Sequence, residues 1–148
     1  MHEGAYHLDR ARVVLPDSGL PAPVVSYLTR ERCWRLEEPF TYEEPGLEIT
    51  VPAGFHFDLA SVPRSFWWLI APFELSVAAP LLHDFLYRHA GAPPAGSVDP
   101  SRRFSRKEAD DLFRRVMERE GVPRWRRTAA WWAVRVFGAR AFGRAGPC

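Results

Sequence analysis

A histidine and an aspartate lie side by side in the apolar segment LLHDFLYRHAG, residues 81–91, and a tyrosine follows one helical turn later. At roughly 100° per residue, an α-helix would place His83, Asp84 and Tyr87 on one side, as a contiguous polar group. A neutral imidazole can take a proton from water near pH 7, and a carboxylate can bind a hard cation such as calcium. The segment therefore predicts either a catalytic helix or a surface helix with one polar face.

A second carboxylate lies on the next predicted helix, over residues 105–121. Asp110 falls at the edge of the apolar stripe of that helix, where another helix can pack, whereas Asp111 points nearly the opposite way, to solvent. The loop between the two helices is long enough for an antiparallel pair, in which Asp110 can face His83. A buried carboxylate would fix the tautomer of the imidazole and stabilise the imidazolium, and the Tyr87 hydroxyl can hold that carboxylate.

A structural interpretation of the same residues stays open. A helix with one polar face is the usual surface helix, on which Asp84 and Arg88 would form a pair four residues apart. Asp110 would then be an acidic residue in the first turn, favoured by the helix dipole. Asp58, in the segment 55–59, can add an oxygen ligand for a cation, although an Asx turn or a helix cap is the commoner role of such a residue.

The N-terminal half of the sequence predicts strands. Residues that are β-branched or aromatic are concentrated in short segments separated by proline and glycine. Strands are predicted over 24–29, 33–36, 47–51 and 55–59. The last two are expected to form a hairpin.

The C-terminal half predicts helices. These are expected over 65–71, 75–90, 105–121 and from Pro123 to about Phe142. Pro80 should start or kink the second helix, Gly91 is expected as its C-cap, and a capping box of Ser105 with Glu108 opens the third. The whole pattern predicts one α+β domain over residues 1–148, with a small antiparallel sheet followed by three to four packed helices. Two of these helices form the antiparallel pair that carries the site.

The composition is that of a soluble protein with one hydrophobic core, since 47% of the 148 residues are hydrophobic and 26% are charged. Two cysteines without a CxxC or Cys/His spacing indicate neither a zinc site nor a disulfide framework, so that the core must hold the fold. The N-terminus lacks the apolar stretch of a signal peptide, and no apolar run is long enough to span a membrane. We therefore expect a cytoplasmic or virion-associated protein.

The C-terminal segment 122–144 mixes arginine with tryptophan and contains no acidic residue. The formal net charge of +2 is too small to indicate nucleic acid by itself, but the uneven distribution suggests an anionic partner. Trp125, Trp132 and Val136 fall roughly along one side of the predicted helix. This side can lie on anionic lipid or bind single-stranded nucleic acid, or the helix can be a core helix whose Trp131 or Trp132 packs on the sheet. The core helix is favoured, because amphipathic helices usually bury their apolar side.

Four separated motifs occur in a characteristic order: GFHFDLASVPR (54–64), LLHDFLY (81–87), SRKEADDLF (105–113) and VRVFG near the end. In this order they resemble the phage-associated family called domain of unknown function 1353, over about residues 45–140. The resemblance implies a phage or prophage-related setting, with phage structural proteins as partners, and it implies no activity.

The H-D-x-x-Y helix, followed by a helix that carries an aspartate, is also similar to phospholipase A2, and most of all to its bacterial form. That resemblance implies that His83 is the general base for water and that Asp84 binds calcium. It also implies that Asp110 orients the imidazole and that Tyr87 is the hydrogen-bonding tyrosine. The chain departs from the pattern in two respects. Where phospholipase A2 has a Gly-rich calcium loop, this sequence has a single glycine in the corresponding region before the helix, Gly54. Its two cysteines are also too few for the several disulfides of that family.

Three functions are compatible with these residues. The first is a phospholipase A2-like hydrolase of phospholipid esters that acts at an anionic membrane surface, with calcium at Asp84 and Asp58. The second is a non-enzymatic phage virion or tail-associated protein in which the His-Asp-Tyr group is a buried polar lock between helices. The third, a metal-dependent nuclease, lacks the second His pair or acidic cluster that two-metal sites need. An Asp110 carboxylate bonded to His83, with the other imidazole nitrogen facing a cleft, would favour the enzyme, and an imidazole buried on both sides would favour the lock.

Overall fold

The computed structural model describes residues 20–57 and 77–144, which form two small antiparallel sheets and three helices. The strands are β1 (Val25–Leu28), β2 (Cys33–Leu36), β3 (Phe40–Glu44), β4 (Leu47–Val51), β5 (His56–Phe57) and β6 (Val98–Asp99). The helices are α1 (Ala78–Arg88), α2 (Arg106–Arg119) and α3 (Arg124–Phe137), and a 3-10 turn at Gly138–Arg140 follows α3. The predicted α+β class is thereby confirmed. The predicted helix over 65–71 lies outside the described residues.

The strands pair in the orders β1-β2-β5 and β3-β4-β6, and every pair is antiparallel. The predicted hairpin between 47–51 and 55–59 is wrong. A tight turn with Gly46 at φ +79° connects β3 directly to β4, and β6 occupies the other edge of β4. The segment after β4 therefore pairs elsewhere, with Phe57 of β5 opposite Trp34 of β2. The backbone N–H of Gly54 and the carbonyl of Leu36 fix this crossing through a bond of 2.7 Å.

The predicted start of α2 and the place of Pro80 at the start of α1 are confirmed, whereas the predicted end of α3 is not. Ser105 Oγ accepts from the Glu108 N–H at 3.1 Å, and the Glu108 carboxylate accepts from the Ser105 N–H at 2.8 Å, which completes the capping box. Pro80 lies in the first turn of α1, where it removes no helical hydrogen bond. The last helix is shorter than predicted, because it ends at Phe137 and continues as a 3-10 turn.

The connection after α1 reverses tightly. The helix ends with His89 as its C-cap, which corrects the prediction of Gly91, and Ala90 and Gly91 then adopt φ values of 50° and 76°. The N–H of Phe104 donates to the Gly91 carbonyl at 2.7 Å, so that the two ends of this loop touch. A Cβ added at Gly91 would lie 1.7 Å from the Phe104 carbonyl oxygen. Only glycine fits there, because the Phe104 backbone leaves no room for a Cβ, and a side chain at this left-handed φ would also be strained.

We expect Gly91→Ala to lower the free energy of unfolding by at least about 2 kcal/mol, since the change combines a left-handed L-residue with a backbone collision. Urea unfolding followed by circular dichroism would measure this loss. Gly96→Ala is the matched control, because Gly96 has a φ of +85° but no atom within 4 Å of the added Cβ. Equal losses in the two variants would contradict the role of the Phe104 contact.

Helix α1 lies at the centre of the hydrophobic core. Every residue from Ala78 to Tyr87 is buried, including the polar ones. Phe85 packs edge-on against Phe55, with 5.4 Å between ring centroids, and Arg88 donates to the His56 carbonyl. The interpretation of α1 as a surface helix with one solvent-exposed polar face is therefore wrong.

Candidate functional site

His83 of α1 and Asp110 of α2 meet across the packed surface of these two helices. The distance from His83 Nε2 to Asp110 Oδ1 is 2.7 Å. Both residues are removed from solvent, with exposed fractions of 2% and 0%. The apolar stripe of α2 faces α1, and this places Asp110 at the seam where its helical position predicts it.

The Tyr87 hydroxyl donates to the same oxygen, Asp110 Oδ1, at 2.5 Å. Its ring also lies against the imidazole of His83, with 4.0 Å between centroids. The backbone at Gly138, just after α3, passes close to this hydroxyl, and a Cβ there would lie 2.9 Å from it. Gly138 thus leaves the space in which Tyr87 reaches Asp110, a role that no local sequence pattern indicated.

Two arginines approach the second oxygen of the Asp110 carboxylate. Arg135 Nη1 of α3 donates to Oδ2 at 2.8 Å, and Arg106 Nη1 lies 3.7 Å from it. Arg106 also donates to the carbonyls of Val134 and Arg135 at 3.1 Å, which ties the start of α2 to the end of α3. Sequence reasoning missed both arginines. The four-residue spacing of Arg106 and Asp110 was a usable signal, whereas nothing local marks Arg135.

The hydrogen bonds at Asp110 decide its charge. Burial raises its pKa, but the bonds from His83, Tyr87 and Arg135 outweigh burial, so that the pKa falls below its ordinary value of 3.8. The carboxylate is therefore ionised near pH 7 and can only accept hydrogen bonds. In a neutral imidazole, Nε2 must then carry the proton and Nδ1 the lone pair.

The pKa of His83 is lowered from its ordinary value of 6.5, mainly because burial disfavours the charged ring, and the bond to Asp110 offsets only part of that effect. Burial, followed by the bond to the same carboxylate, raises the pKa of the Tyr87 hydroxyl. Near pH 7 the group therefore consists of a neutral imidazole, an ionised carboxylate and a phenol that donates to it. A neutral imidazole is the form that can accept a proton.

Asp84 lies beside His83 on α1 and is 7% exposed. Asp58, its predicted companion at a calcium ion, lies outside the described residues. Within residues 20–57 and 77–144, no three His, Cys, Asp or Glu side chains are grouped so that they could hold a metal ion. The described residues therefore do not form a calcium site by themselves, and we derive no step of the chemistry through a metal.

Asp111 and α3 depart from the prediction. Asp111 does not simply point to solvent, because it accepts bonds from Lys107 Nζ at 2.7 Å and from Trp131 Nε1 at 2.9 Å.

Helix α3 buries Ala130, Ala133 and Val134, and its Trp131 lies against α2. The prediction that Trp131 or Trp132 packs on the sheet is wrong, because the second helix, not the sheet, offers α3 its apolar neighbour.

Glu120, at the C-cap of α2, is buried with an exposed fraction of 6%. Burial raises its pKa from 4.5 to about 7, and the nearby charge of Arg119 offsets only a small part. The unfolded chain therefore loses this proton at a lower pH than the folded protein does. Ionisation of Glu120 opposes folding as the pH rises from 4.5 through about 7.

We expect Glu120→Gln to stabilise the protein by about 1–3 kcal/mol at pH 8, because the amide removes the cost of a buried charge. At pH 4 the gain should vanish, since the carboxyl is then protonated in both the folded and the unfolded protein. Urea unfolding of both proteins across this pH range would test the difference. A gain that is the same at pH 4 and pH 8 would show that the charge of Glu120 is not its cause.

A surface depression lies around the β3–β4 turn and β6. It is lined by Glu43, Glu44, Gly46, Leu47, Glu48, Asp99 and Pro100. None of the residues that bond to Asp110 takes part in it. It is therefore not an entrance to the His83–Asp110 pair.

Fold and site together define an α+β protein whose helices α1 and α2 join at a buried His-Asp-Tyr group that an arginine of α3 completes. The chain belongs to the family described as protein of unknown function DUF1353, whose sequence profile matches residues 34–134. The family resemblance expected from the motifs is thereby confirmed, with a match that begins and ends somewhat earlier in the chain.

One relative of the chain is the uncharacterized protein y4jT of Sinorhizobium fredii (strain NBRC 101917 / NGR234). The two are 31% identical over 111 residues, which cover 71% of this chain and 29% of that protein. The chain thus spans less than a third of the length of this relative. The comparison with solved structures gave no match. Among the described residues, no helix is long and apolar enough to cross a bilayer.

Proposed function

We propose that the protein hydrolyses phospholipid esters in the manner of phospholipase A2, with His83 as the general base. One observation carries the proposal: Asp110 Oδ1 lies 2.7 Å from His83 Nε2 and accepts the Tyr87 hydroxyl at the same time. An ionised carboxylate in this position holds the imidazole in the tautomer whose lone pair is on Nδ1. It also stabilises the positive charge that the ring gains when it takes a proton.

The proposed reaction requires that water and the ester displace the groups that now cover the 2% exposed His83 ring; Nδ1 then takes a proton from the water while the water oxygen attacks the ester carbonyl carbon. The imidazolium then gives this proton to the leaving alcohol oxygen as the carbon–oxygen bond breaks. The products are a fatty acid and a lysophospholipid, and the imidazole is again neutral. Asp110 stays ionised throughout and is stabilised by Arg135 at 2.8 Å, so that it acts on the base and not on the substrate.

The proposal includes a calcium ion bound by Asp84 and Asp58. Only the resemblance to phospholipase A2 supports this part of it. A bound calcium ion would polarise the ester carbonyl and stabilise its developing negative charge. Isothermal titration with calcium would test the site directly, because Asp84→Asn should abolish binding that the wild-type chain shows. Absence of calcium binding to the wild-type chain would remove the metal from the proposal and leave His83 as the base.

The family resemblance supports a phage or prophage-related setting for this activity, with a cytoplasmic or virion-associated location. Its substrate would be presented by an anionic phospholipid membrane, and phage structural proteins are further partners that the setting implies. Nucleic acid is not part of the proposal.

The imidazole is buried on both sides, which by the criterion stated above favours a second candidate, a non-enzymatic virion or tail-associated protein: the ring is 2% exposed and packs against the rings of Tyr87 and Phe113, with 4.0 and 4.8 Å between centroids. Asp110 of α2 accepts from His83 and Tyr87 of α1 and from Arg135 of α3, so that the network joins three helices. Such a network can serve as a polar lock that fixes how three helices pack. Hydrolysis requires that an ester reach His83 through the residues that cover it, whereas the lock requires no access.

The experiment that separates the two candidates uses vesicles of phospholipids with different acyl chains at the two ester positions. Release of the sn-2 fatty acid would be followed by mass spectrometry, with calcium and with a chelator. The hydrolase predicts release that depends on His83. No release in either condition, together with a loss of stability in His83→Gln, would reject the hydrolase in favour of the lock.

A further inference from the structure

Helix α3 exposes large apolar side chains to solvent. Trp125 and Trp132 are each 58% exposed, Val136 is 61% exposed and Phe137 is 48% exposed. In the described part of the chain, only Val24 is a further large hydrophobic residue with comparable exposure. Single exposed apolar residues are ordinary on protein surfaces, but several on one helix indicate an interaction site.

The geometry of α3 makes three of these side chains contiguous. Trp125, Trp132 and Val136 are separated by seven and four residues, so that they lie along one line of the helix. The buried Ala130 and Val134 lie on the side of α3 opposite to this line. From Trp125 to Val136 this apolar line is about 16 Å long. The helix is therefore apolar on its inner side and again on its outer side.

Exposed arginines lie at both ends of this apolar line. Arg124, Arg140 and Arg144 are exposed, and the Arg126 guanidinium lies 5.3 Å from the centroid of the Trp125 ring. Between residues 121 and 144 the sequence has no acidic residue that would neutralise them. Two other arginines of α3 are engaged inward, Arg127 with Glu118 at 3.5 Å and Arg135 with Asp110 at 2.8 Å. The outer side of the helix is thus both apolar and positively charged.

We propose that this outer side of α3 binds the surface of a bilayer that contains anionic phospholipids. The α3 surface is formed by Trp125, Trp132 and Val136, with the exposed Arg124 at the start of the helix and the exposed Arg140 and Arg144 just after its end. Tryptophan is favoured at the boundary between headgroups and acyl chains, where aliphatic side chains can enter the bilayer and arginine can bind phosphate. Charge complementarity selects anionic over zwitterionic lipid.

Two features favour lipid over single-stranded nucleic acid. Trp132 meets Trp131 edge-on, at an interplanar angle of 79°, which does not present two parallel platforms for successive bases. Val136 extends the apolar line with a side chain that cannot stack on a base but can enter a bilayer.

The inference goes beyond the proposed hydrolysis and does not depend on it. The carboxyl end of α3 nevertheless adjoins the site, because Arg135 bonds to Asp110 and Gly138 contacts Tyr87. A bilayer on the α3 surface would therefore lie near the helix end that completes the His-Asp-Tyr group. Binding and hydrolysis can be measured separately, since His83→Gln should bind vesicles as the wild-type chain does.

The test is flotation of the full chain with two kinds of vesicle, phosphatidylcholine alone and phosphatidylcholine mixed with phosphatidylglycerol. We expect binding to the anionic vesicles, with a shift of the tryptophan emission to shorter wavelength. Trp125→Ala or Trp132→Ala should weaken binding about tenfold, because each removes a large apolar area from the bilayer contact. Arg124→Gln and Arg140→Gln should each weaken it about fivefold and reduce its salt dependence.

Val24→Ala is the matched control, because Val24 is 46% exposed but lies in the N-terminal half of the chain, and its vesicle binding should equal that of the wild type. Circular dichroism and thermal unfolding would show that the α3 variants keep the fold. Three results would overturn the proposal: no binding to anionic vesicles, unchanged binding of the tryptophan variants, or equal binding to both kinds of vesicle. Single-stranded DNA binding or a dimer that Trp132→Ala abolishes, without vesicle binding, would assign the α3 surface to that other partner.

Discussion

Hydrolysis of the sn-2 ester by the His83→Gln variant is expected to be slower by about 10²–10⁴-fold than by the wild-type chain, the usual contribution of a positioned general base. Glutamine can still donate a hydrogen bond to Asp110, so that the packing between α1 and α2 should survive. It has no lone pair with the basicity of Nδ1. Initial rates of fatty acid release from mixed-acyl vesicles would measure the loss, and circular dichroism would verify the fold.

The matched control for this variant is His89→Gln, because His89 follows α1 as its C-cap and does not contact Asp110 through any of the bonds described above. Its hydrolysis rate should equal that of the wild type. The pH profile gives an independent readout. Since burial lowers the pKa of His83 below 6.5, the wild-type rate should fall only at pH values below 6.5, as the base becomes protonated. Wild-type rates in His83→Gln would remove His83 from the chemistry.

Asp110→Ala is expected to lower the free energy of unfolding by about 3–5 kcal/mol. The change removes the carboxylate that accepts from three side chains and leaves their donors without a partner in the core. His83 and Tyr87 would lose their bonds to Oδ1, and Arg135 would lose its partner at Oδ2. Both candidate functions predict this loss, since the carboxylate holds three helices together in either case. Denaturant unfolding at pH 7 would measure it.

The neighbouring residue supplies the control for Asp110→Ala. Asp111 forms a more exposed pair with Lys107 and accepts from Trp131 Nε1, and Asp111→Ala should cost about 1–2 kcal/mol. The pH dependence has a definite sign. Because the folded pKa of Asp110 lies below its ordinary value of 3.8, its stabilisation is complete above that pH and is lost as the pH falls through the folded value. Equal losses in the two variants would contradict the role assigned to the buried network.

Local patterns in the sequence predicted several elements correctly. The strands at Cys33–Leu36 and Leu47–Val51 have the predicted bounds, and the capping box at Ser105 starts α2 as expected. These features depend on neighbouring residues only, namely alternation, β-branching and a side chain that caps its own helix. β3 was missed because FTYEE carries two glutamates, one of which, Glu44, pairs with Arg115 of α2 at 2.9 Å.

The candidate site was predictable to the extent that it depends on helix periodicity. The spacing of His83 and Tyr87 and the position of Asp110 on its helix indicated that they could meet. Arg135 was not predictable, because it reaches Asp110 from a third helix whose packing no local pattern specifies. Gly138 was missed for the same reason, since its closeness to Tyr87 arises only where the end of α3 crosses α1.

The sequence by itself determined the α+β class, the helix pair and the residues that this pair brings together, because helical and strand periodicities are local properties of the chain. Only the tertiary structure decided which strands pair, that α1 is buried on all sides, and that α3 packs on α2 with Trp125 and Trp132 outside. These outcomes depend on contacts between residues far apart in sequence. Several apolar faces of the chain could pack against the same neighbour, and the sequence of one segment does not determine which of them does so.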